Sequence, residues 1–567
     1  MSKLKLQIDA ALAALVESDA PFELIDSPQT GSESKEYKNA PKNLVELFSG
    51  AKAHGEKEFV LYEGERWTFE KMLQQAASIG GHLLNEYGIT KGTRVAIAMR
   101  NYPEWMAAFI GITSIGGVVV PLNSWGLADE LKHGLTDSGA KLVFCDQRRY
   151  NLMKECCVDM DIPTIIARPN KVNINSTAIA YENLIADAAT ATMPLVNIAG
   201  DDDALIMYTS GTTGKPKGAL STHHALCQAI FSIECMGAAM ALGNQESFKI
   251  VANKGFAPCN LMSVPLFHVS GCHATFLTAI RSGSRIVMMH KWDVDQAYDY
   301  VEQEKVTMVG GAPPQVLDFL NSPRLQTADL SSLSILGVGG ASTPPKLQSL
   351  INKHLPHHVL GAGWGMTETS SIGAFFGGRI GQNPQGSSGI RHPIVELSIR
   401  DEQGTELAAG EKGELWVRSV ALIKQYWNRP QANAKEFSGR WFNSGDIGHV
   451  DEAGFLFLAD RAKDIIIRGG ENIYPVEIEN RLLEFPNVQE CAVFGLPHER
   501  LGEEVAVIVV GKPGCELSSA MINDYAKKHL AAFKVPSHIY LSDTPLPRNA
   551  TNKVMKNLIR DQFSLRV

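Results

Sequence analysis

Residues able to do chemistry concentrate in the run Tyr208-Thr-Ser-Gly-Thr-Thr-Gly-Lys-Pro-Lys-Gly218, where nine of eleven residues are aliphatic hydroxyl, glycine or lysine. That set suits the wrapping of a polyphosphate. Bare backbone N–H groups can turn inward on an anion, hydroxyls donate, and ammonium groups neutralise charge. The preceding Asp203-Ala-Leu-Ile-Met-Tyr208 reads as a short buried strand, which puts the run at a strand's carboxyl end, where open α/β sheets bind ligands. A Walker A loop is excluded, because two residues rather than four separate Gly211 from Gly214 and Lys215 is followed by Pro216. The plainer reading of such a stretch is a polar linker; the strand and the two lysines favour ATP.

Four further segments carry the groups that ATP chemistry needs. Trp364-Gly-Met-Thr-Glu-Thr369 follows a short apolar strand around His358-Val-Leu360 and a small-residue turn, Gly361-Ala-Gly363. It offers an indole that can stack on a purine, worth roughly 1–3 kcal/mol, and Glu368, the hard oxygen ligand that Mg²⁺ prefers. Asn443-Ser-Gly-Asp446 reads as a turn presenting a carboxylate. Asp460-Arg-Ala-Lys-Asp464 runs into Ile465-Ile-Ile-Arg-Gly-Gly-Glu-Asn-Ile-Tyr-Pro475, and Leu546-Pro-Arg-Asn-Ala-Thr-Asn-Lys553-Val-Met-Lys556 ends the series. Standing alone, each has a bland alternative: a packed tryptophan, a solvated turn aspartate, a charged turn, a surface lysine.

In this order and at this spacing, the five segments resemble the signature motifs of the adenylate-forming superfamily, which includes acyl-CoA synthetases, peptide-synthetase adenylation domains and beetle luciferases. The resemblance implies that Thr209, Ser210, Gly211, Thr212, Thr213, Gly214 and Lys217 hold the ATP phosphates. Gly363, Trp364, Gly365, Met366 and Thr367 would form the second nucleotide motif, with Trp364 where the family usually has tyrosine, and Glu368 would bind Mg²⁺. It also implies that Asp446 grips the ribose hydroxyls, Arg461 touches ribose or phosphate, Lys463 is the hinge, and Gly469 and Gly470 line a pantetheine tunnel that a side chain would block. Lys553 takes the place of the catalytic lysine. The family's preceding glycine is replaced by Asn552, which tolerates a left-handed backbone better than most residues.

The implied reaction joins a carboxylic acid to ATP as an acyl-adenylate with loss of pyrophosphate, after which a thiol displaces AMP. Coenzyme A is the expected acceptor, since no carrier segment follows Lys553. Pro265-Leu-Phe-His268-Val-Ser-Gly271 resembles the segment that forms the acyl pocket and, through His268, guards the thiol tunnel. Gly339, Gly340 and Ala341 would form the opposite wall. With no second charge to recognise among these residues, the expected substrate is a medium- or long-chain fatty acid; an aryl or polycyclic acid is the alternative, and a stand-alone enzyme loading a carrier protein a weaker one.

The elements that must position these residues follow from the rest of the chain. A length of 567 residues exceeds one hydrophobic core. Apolar runs alternate with helical stretches: Val95–Ala98, Lys141–Cys145, Arg285–Met289, Val306–Val309 and Ile335–Val338 read as strands of a parallel-rich α/β sheet. Past Ile394 the strands shorten and alternate, as in a β-rich subdomain, and from Val476 a compact α+β unit follows. The expected division is a large N-terminal α/β domain, 1–460, and a small mobile α+β domain, 461–567. A net charge of −8 with 20% charged residues argues against nucleic acid as a partner. Nine scattered cysteines suit a reducing cytoplasm. Met1–Val16 reads as an amphipathic surface helix, and Trp105–Leu122 as a buried helix turning into a strand rather than a membrane span. A homo-oligomer is left open.

Overall fold

A computed structural model describes residues 3–29, 31–170, 178–209, 216–339, 345–379, 381–461, 464–468, 471–549 and 552–564. Continuous apolar runs become strands buried on both faces, as parallel sheets require. Arg94–Ala98, Val118–Pro121, Leu142–Asp146 and Thr164–Ala167 run parallel in a first sheet of eight strands. Asp203–Thr209 extends it in parallel, and Lys217–Thr222 folds back antiparallel with Thr209 opposite Lys217. The two antiparallel strands flank the hydroxyl- and glycine-rich run, of which residues 210–215 lie outside the described residues.

The second sheet has fourteen strands. Its centre is parallel: Arg285–Met288, Cys259–Met262, Met308–Gly311, Ile335–Val338 and Val359–Gly365. Met308–Gly311 begins two residues beyond the expected start at Val306. The short alternating strands after Ile394 do not form a detached subdomain. Val395–Arg400, Gly413–Ser419, Trp441–Val450 and Phe455–Arg461 continue the second sheet through antiparallel pairing. Pro103–Ser114 is buried along its whole length and leads into Val118–Pro121, as expected. Trp105 stacks on Phe109 with centroids 5.5 Å apart, and Phe276 meets both edge-on, in a core that joins residues of the two sheets.

Lys3–Val16 differs from the surface helix expected. It lies against the long helix His223–Gly243, with Ile8 fully buried where Gly243 has no Cβ to keep its backbone away. Among the described residues, His223–Gly243 is the one helix long and apolar enough to cross a membrane, with a mean hydropathy of 1.6, and 67% of that stretch is buried inside the protein. Each of the nine cysteines is a free thiol.

A third sheet comprises Ile466–Arg468, Glu471–Ile473, Val488–His498, Gly502–Gly511 and His538–Ser542. Pro475–Leu483 and Ser519–His529 pack on one face, Lys556–Ser564 on the other. This matches the helix, strand, strand, helix, strand order read from the sequence.

Val359–Gly365 corrects one sequence reading. Gly361-Ala-Gly363 is strand, not turn, and Trp364 and Gly365 belong to the same strand, paired with Ala374 and Gly373. Glycines occur here for close approach rather than for bending: the Phe375 ring packs 3.5 Å from where a Gly361 Cβ would sit, and a Cβ on Gly365 would overlap the Ser371 carbonyl. Gly365→Ala is thus expected to destabilise the protein by about 1–3 kcal/mol through overpacking. Urea unfolding followed by tryptophan fluorescence checks this; an unchanged midpoint would contradict it.

Candidate active site

Ile335–Val338 and Val359–Gly365 pair in parallel, so their carboxyl ends lie at the same edge of the second sheet. Gly339, just past its strand, has open space where a Cβ would stand. Beyond Gly365, Met366 ends the strand and Thr367–Thr369 make a single tight turn that buries Glu368. Ser370 and Ser371 follow with φ of 50° and 76°. Two consecutive non-glycine residues in the left-handed region are costly, on the order of 1–3 kcal/mol each. The Ser370 hydroxyl compensates by donating to the Ala421 carbonyl at 2.7 Å.

Glu368 does not stand alone. The phenol of Tyr426 donates to its Oε1 at 2.7 Å. Asn433 holds Tyr426 in place, accepting its backbone N–H at 2.7 Å and donating to its carbonyl at 3.0 Å. Burial, reinforced by the Glu368 carboxylate, pushes the phenol far above the usual tyrosine range, so it keeps its proton and remains a donor. Lys217 lies over the same ring, its Nζ 3.9 Å from the centroid, and pairs with Glu436 at 2.7 Å. Lys217, Tyr426 and Glu368, with Glu436, thus form one connected group.

Asn443-Ser-Gly-Asp446 is not the turn expected; it lies inside the strand Trp441–Val450, bent by Gly445 at a φ of 69°. Asp446 is buried, and its register partner across the ladder is Arg461, so the two residues meet at one point of the sheet. The indole N–H of Trp364 donates to Asp446 Oδ2 at 2.8 Å.

His268 caps a short helical turn. Its Nδ1 receives the Ser270 backbone N–H at 3.2 Å and lies 2.8 Å from the Ser270 hydroxyl. Because the N–H can only donate, Nδ1 carries the lone pair and the neutral ring is protonated at Nε2. Burial, with the charge of Lys553 second, holds the imidazole at about 4. Lys553 comes from the far end of the chain, and its charge reaches His268.

The Lys553 loop is closed on itself. Arg548 bridges to Val554, the Met555 N–H donates to the Pro547 carbonyl at 2.8 Å, and the Lys553 N–H donates to Asn549 Oδ1 at 2.9 Å. Asn552 has a φ of 64°, the left-handed geometry anticipated for it. Arg548 pairs with Glu490, and its charge reaches Asp318 of the large body.

Ser210, Gly211, Thr212, Thr213, Gly214, Gly340, Ala341, Lys463, Gly469 and Gly470 lie outside the described residues, and only the backbone of Arg461 is described. Tyr426, Glu436 and Ser270 escaped the sequence reading. Tyr426-Trp-Asn-Arg-Pro430 is an aromatic and turn-forming cluster that could have drawn notice; nothing comparable marks Glu436.

This arrangement defines a nucleotide-binding enzyme built from a large body and a small capping unit. The AMP-binding enzyme family matches residues 47–427, and the AMP-binding enzyme C-terminal domain matches residues 477–553. A long-chain-fatty-acid–CoA ligase of Mycobacterium tuberculosis is 32% identical over 504 residues, covering 88% of this chain and 94% of that enzyme. An indoleacetate–CoA ligase of Aromatoleum aromaticum is 33% identical over 482 residues, covering 84% and 89%. The structure of o-succinylbenzoate coenzyme A synthetase from Bacillus subtilis, in complex with ATP and magnesium ion, superposes with a TM-score of 0.75 at 28% identity, covering 91% and 98%. The chain belongs to the AMP-binding enzyme family, in the acyl-CoA synthetase branch of the adenylate-forming superfamily.

Tyr426→Phe removes the donor to Glu368 while keeping the ring under Lys217. The expected result is a roughly tenfold rise in the ATP concentration needed for half-maximal pyrophosphate exchange, the scale of one hydrogen bond to a charged group. An unchanged ATP dependence would show that the bond does not shape the site.

Proposed function

We propose that this acyl-CoA ligase activates an apolar carboxylic acid, a medium- or long-chain fatty acid, and passes it to coenzyme A. The observation that carries the mechanism is that the charge of Lys553, from the C-terminal unit, reaches His268 in the large body. In the first step an oxygen of the substrate carboxylate bonds to the α-phosphorus of ATP, the bond to the bridging oxygen breaks, and pyrophosphate leaves with the electron pair. Both reactants are anions, so fixed positive charge governs the barrier. One ammonium about 4 Å away is worth roughly 4 kcal/mol at an effective dielectric near 20. Lys553 supplies that charge, His268 donates through Nε2–H rather than acting as a base, and Thr209 through Lys217 hold the outer phosphates.

Mg²⁺ fits Glu368, a buried carboxylate oriented by Tyr426. One or two carboxylates together with substrate phosphates are the usual holders of Mg²⁺ in such sites. Such an ion would neutralise charge on the leaving pyrophosphate.

In the second step the coenzyme A sulfur attacks the acyl carbon and AMP leaves. Lys553 must withdraw, and a turn about Lys463 would move it, opening a thiol path along Gly469 and Gly470. Polar contacts span that point among the described residues. Asp460 accepts the Val476 N–H at 2.9 Å, at the start of Pro475–Leu483, and Lys412 lies 5.1 Å from the Tyr474 ring centroid. An apolar acid is supported by the glycine row Gly310, Gly337 and Gly361, in register across three strands, and by the opening at Gly339. The similarity to an indoleacetate–CoA ligase keeps aryl acids as a second reading. Free thiols, with Cys515 alone fully exposed, suit a reducing cytoplasm.

Lys553→Ala is expected to slow pyrophosphate exchange by ~10²–10³-fold, while thioester formation from supplied acyl-adenylate falls far less; equal losses in both half-reactions would overturn this division. His268 stays neutral across the working range, so His268→Gln is expected to lower the exchange rate without moving either limb of its pH profile between about pH 5.5 and 8. Loss of an ionisation in that window would mean that His268 acts as a base.

A further inference from the structure

The indole N–H of Trp364 is spent on one acceptor, the carboxylate of Asp446, and both partners are buried. Each is fixed from behind. Trp364 packs so closely over Gly373 that any Cβ there would overlap the indole, and its strand position is set by pairing with Ala374. Asp446 is held through its main chain: its N–H donates to Ser444 Oγ at 3.1 Å, and the Ser444 hydroxyl donates to the Leu415 carbonyl at 2.7 Å. Gly445, in the left-handed region, aims the aspartate out of the regular strand path. The carboxylate is therefore set by a chain of contacts that runs across two separate parts of the second sheet.

We propose that Trp364 is a positioning residue for ribose recognition, its N–H orienting the Asp446 carboxylate to accept the nucleotide's ribose hydroxyls. The inference rests on the nucleotide reading above and goes beyond it in assigning the indole a polar task in addition to its aromatic face. An indole N–H can donate and cannot accept. A donor on one oxygen suits the carboxylate form, which only accepts and is matched to hydroxyl donors. A phenol at the same place, the family's usual residue, has no N–H and can rotate its proton elsewhere. Holding an acceptor in advance matters because a carboxylate free to rotate would lose that freedom on binding.

The test is the binding of AMP and of 2′,3′-dideoxy-AMP to the full-length protein by calorimetry, with wild type, Trp364→Phe, Asp446→Ala and the double variant. Phenylalanine keeps an aromatic face and removes the donor. Trp364→Phe is expected to weaken AMP about tenfold more than it weakens the dideoxy nucleotide, so that the preference for ribose hydroxyls collapses. In the Asp446→Ala background the same change is expected to do nothing further to that preference. Equal weakening of both nucleotides by Trp364→Phe, or additive effects in the double variant, would overturn the proposal and leave the indole a packing residue. Failure of the wild type to bind either nucleotide would overturn the nucleotide reading as well. Dideoxy-AMP binding also serves as the folding control, because a misfolded variant would lose it.

Discussion

Two anions must be driven together, and the structure is organised around that repulsion. A carboxylate approaching a triphosphate meets a barrier that hydrophobic packing cannot lower; only fixed positive charge and oriented donors can. The fold supplies them at a place where parallel strands end. Lys217 sits at the base of a hairpin, Lys553 at the tip of a closed loop, and the imidazole of His268 is kept as a neutral donor beside it. In the mechanism proposed above, the strongest charge comes from a separately packed unit, whose turn about Lys463 would carry it away. A lysine rooted in the main body would be as close to the departing AMP as to the arriving ATP.

Charge left in place would also find other partners. Lys217 is held by Glu436 and by the face of Tyr426, and the same tyrosine anchors Glu368. Cation, carboxylate and phenol thereby keep defined positions without any one of them being a free buried ion, which would be costly. The two left-handed serines after Glu368 show where the chain accepts backbone strain to make the turn. Strain located at a carboxylate that must face phosphates is consistent with a site shaped for a ligand rather than for stability alone.

Much of this was legible in the sequence wherever a local rule decided the outcome. Val118–Pro121 and Leu142–Asp146 announce buried parallel strands by composition, and Asn552 announces a left-handed turn by being an asparagine where backbone permissiveness is needed. Failures came where a distant partner decided. Gly361-Ala-Gly363 looks like a turn until Phe375 is seen packed against it, and Asn443–Asp446 looks like a turn until Phe455–Arg461 pairs beside it. Glu436 and Ser270 carry no signature of their own; each matters only through a lysine or an imidazole that folding delivers to it. The strands past Ile394 have the pattern of an independent unit, and only their ladder to Ser387–Arg391 makes them part of the larger sheet.

The most direct measurement is coenzyme A-dependent AMP formation from ATP and Mg²⁺ across a panel of straight-chain, aryl and ring-bearing acids, with the thioester quantified in parallel. AMP and thioester rising in equal amounts, with an optimum among uncharged aliphatic chains, is the result this account predicts. Pyrophosphate release without thioester, or an optimum on an acid bearing a second charge, would contradict it.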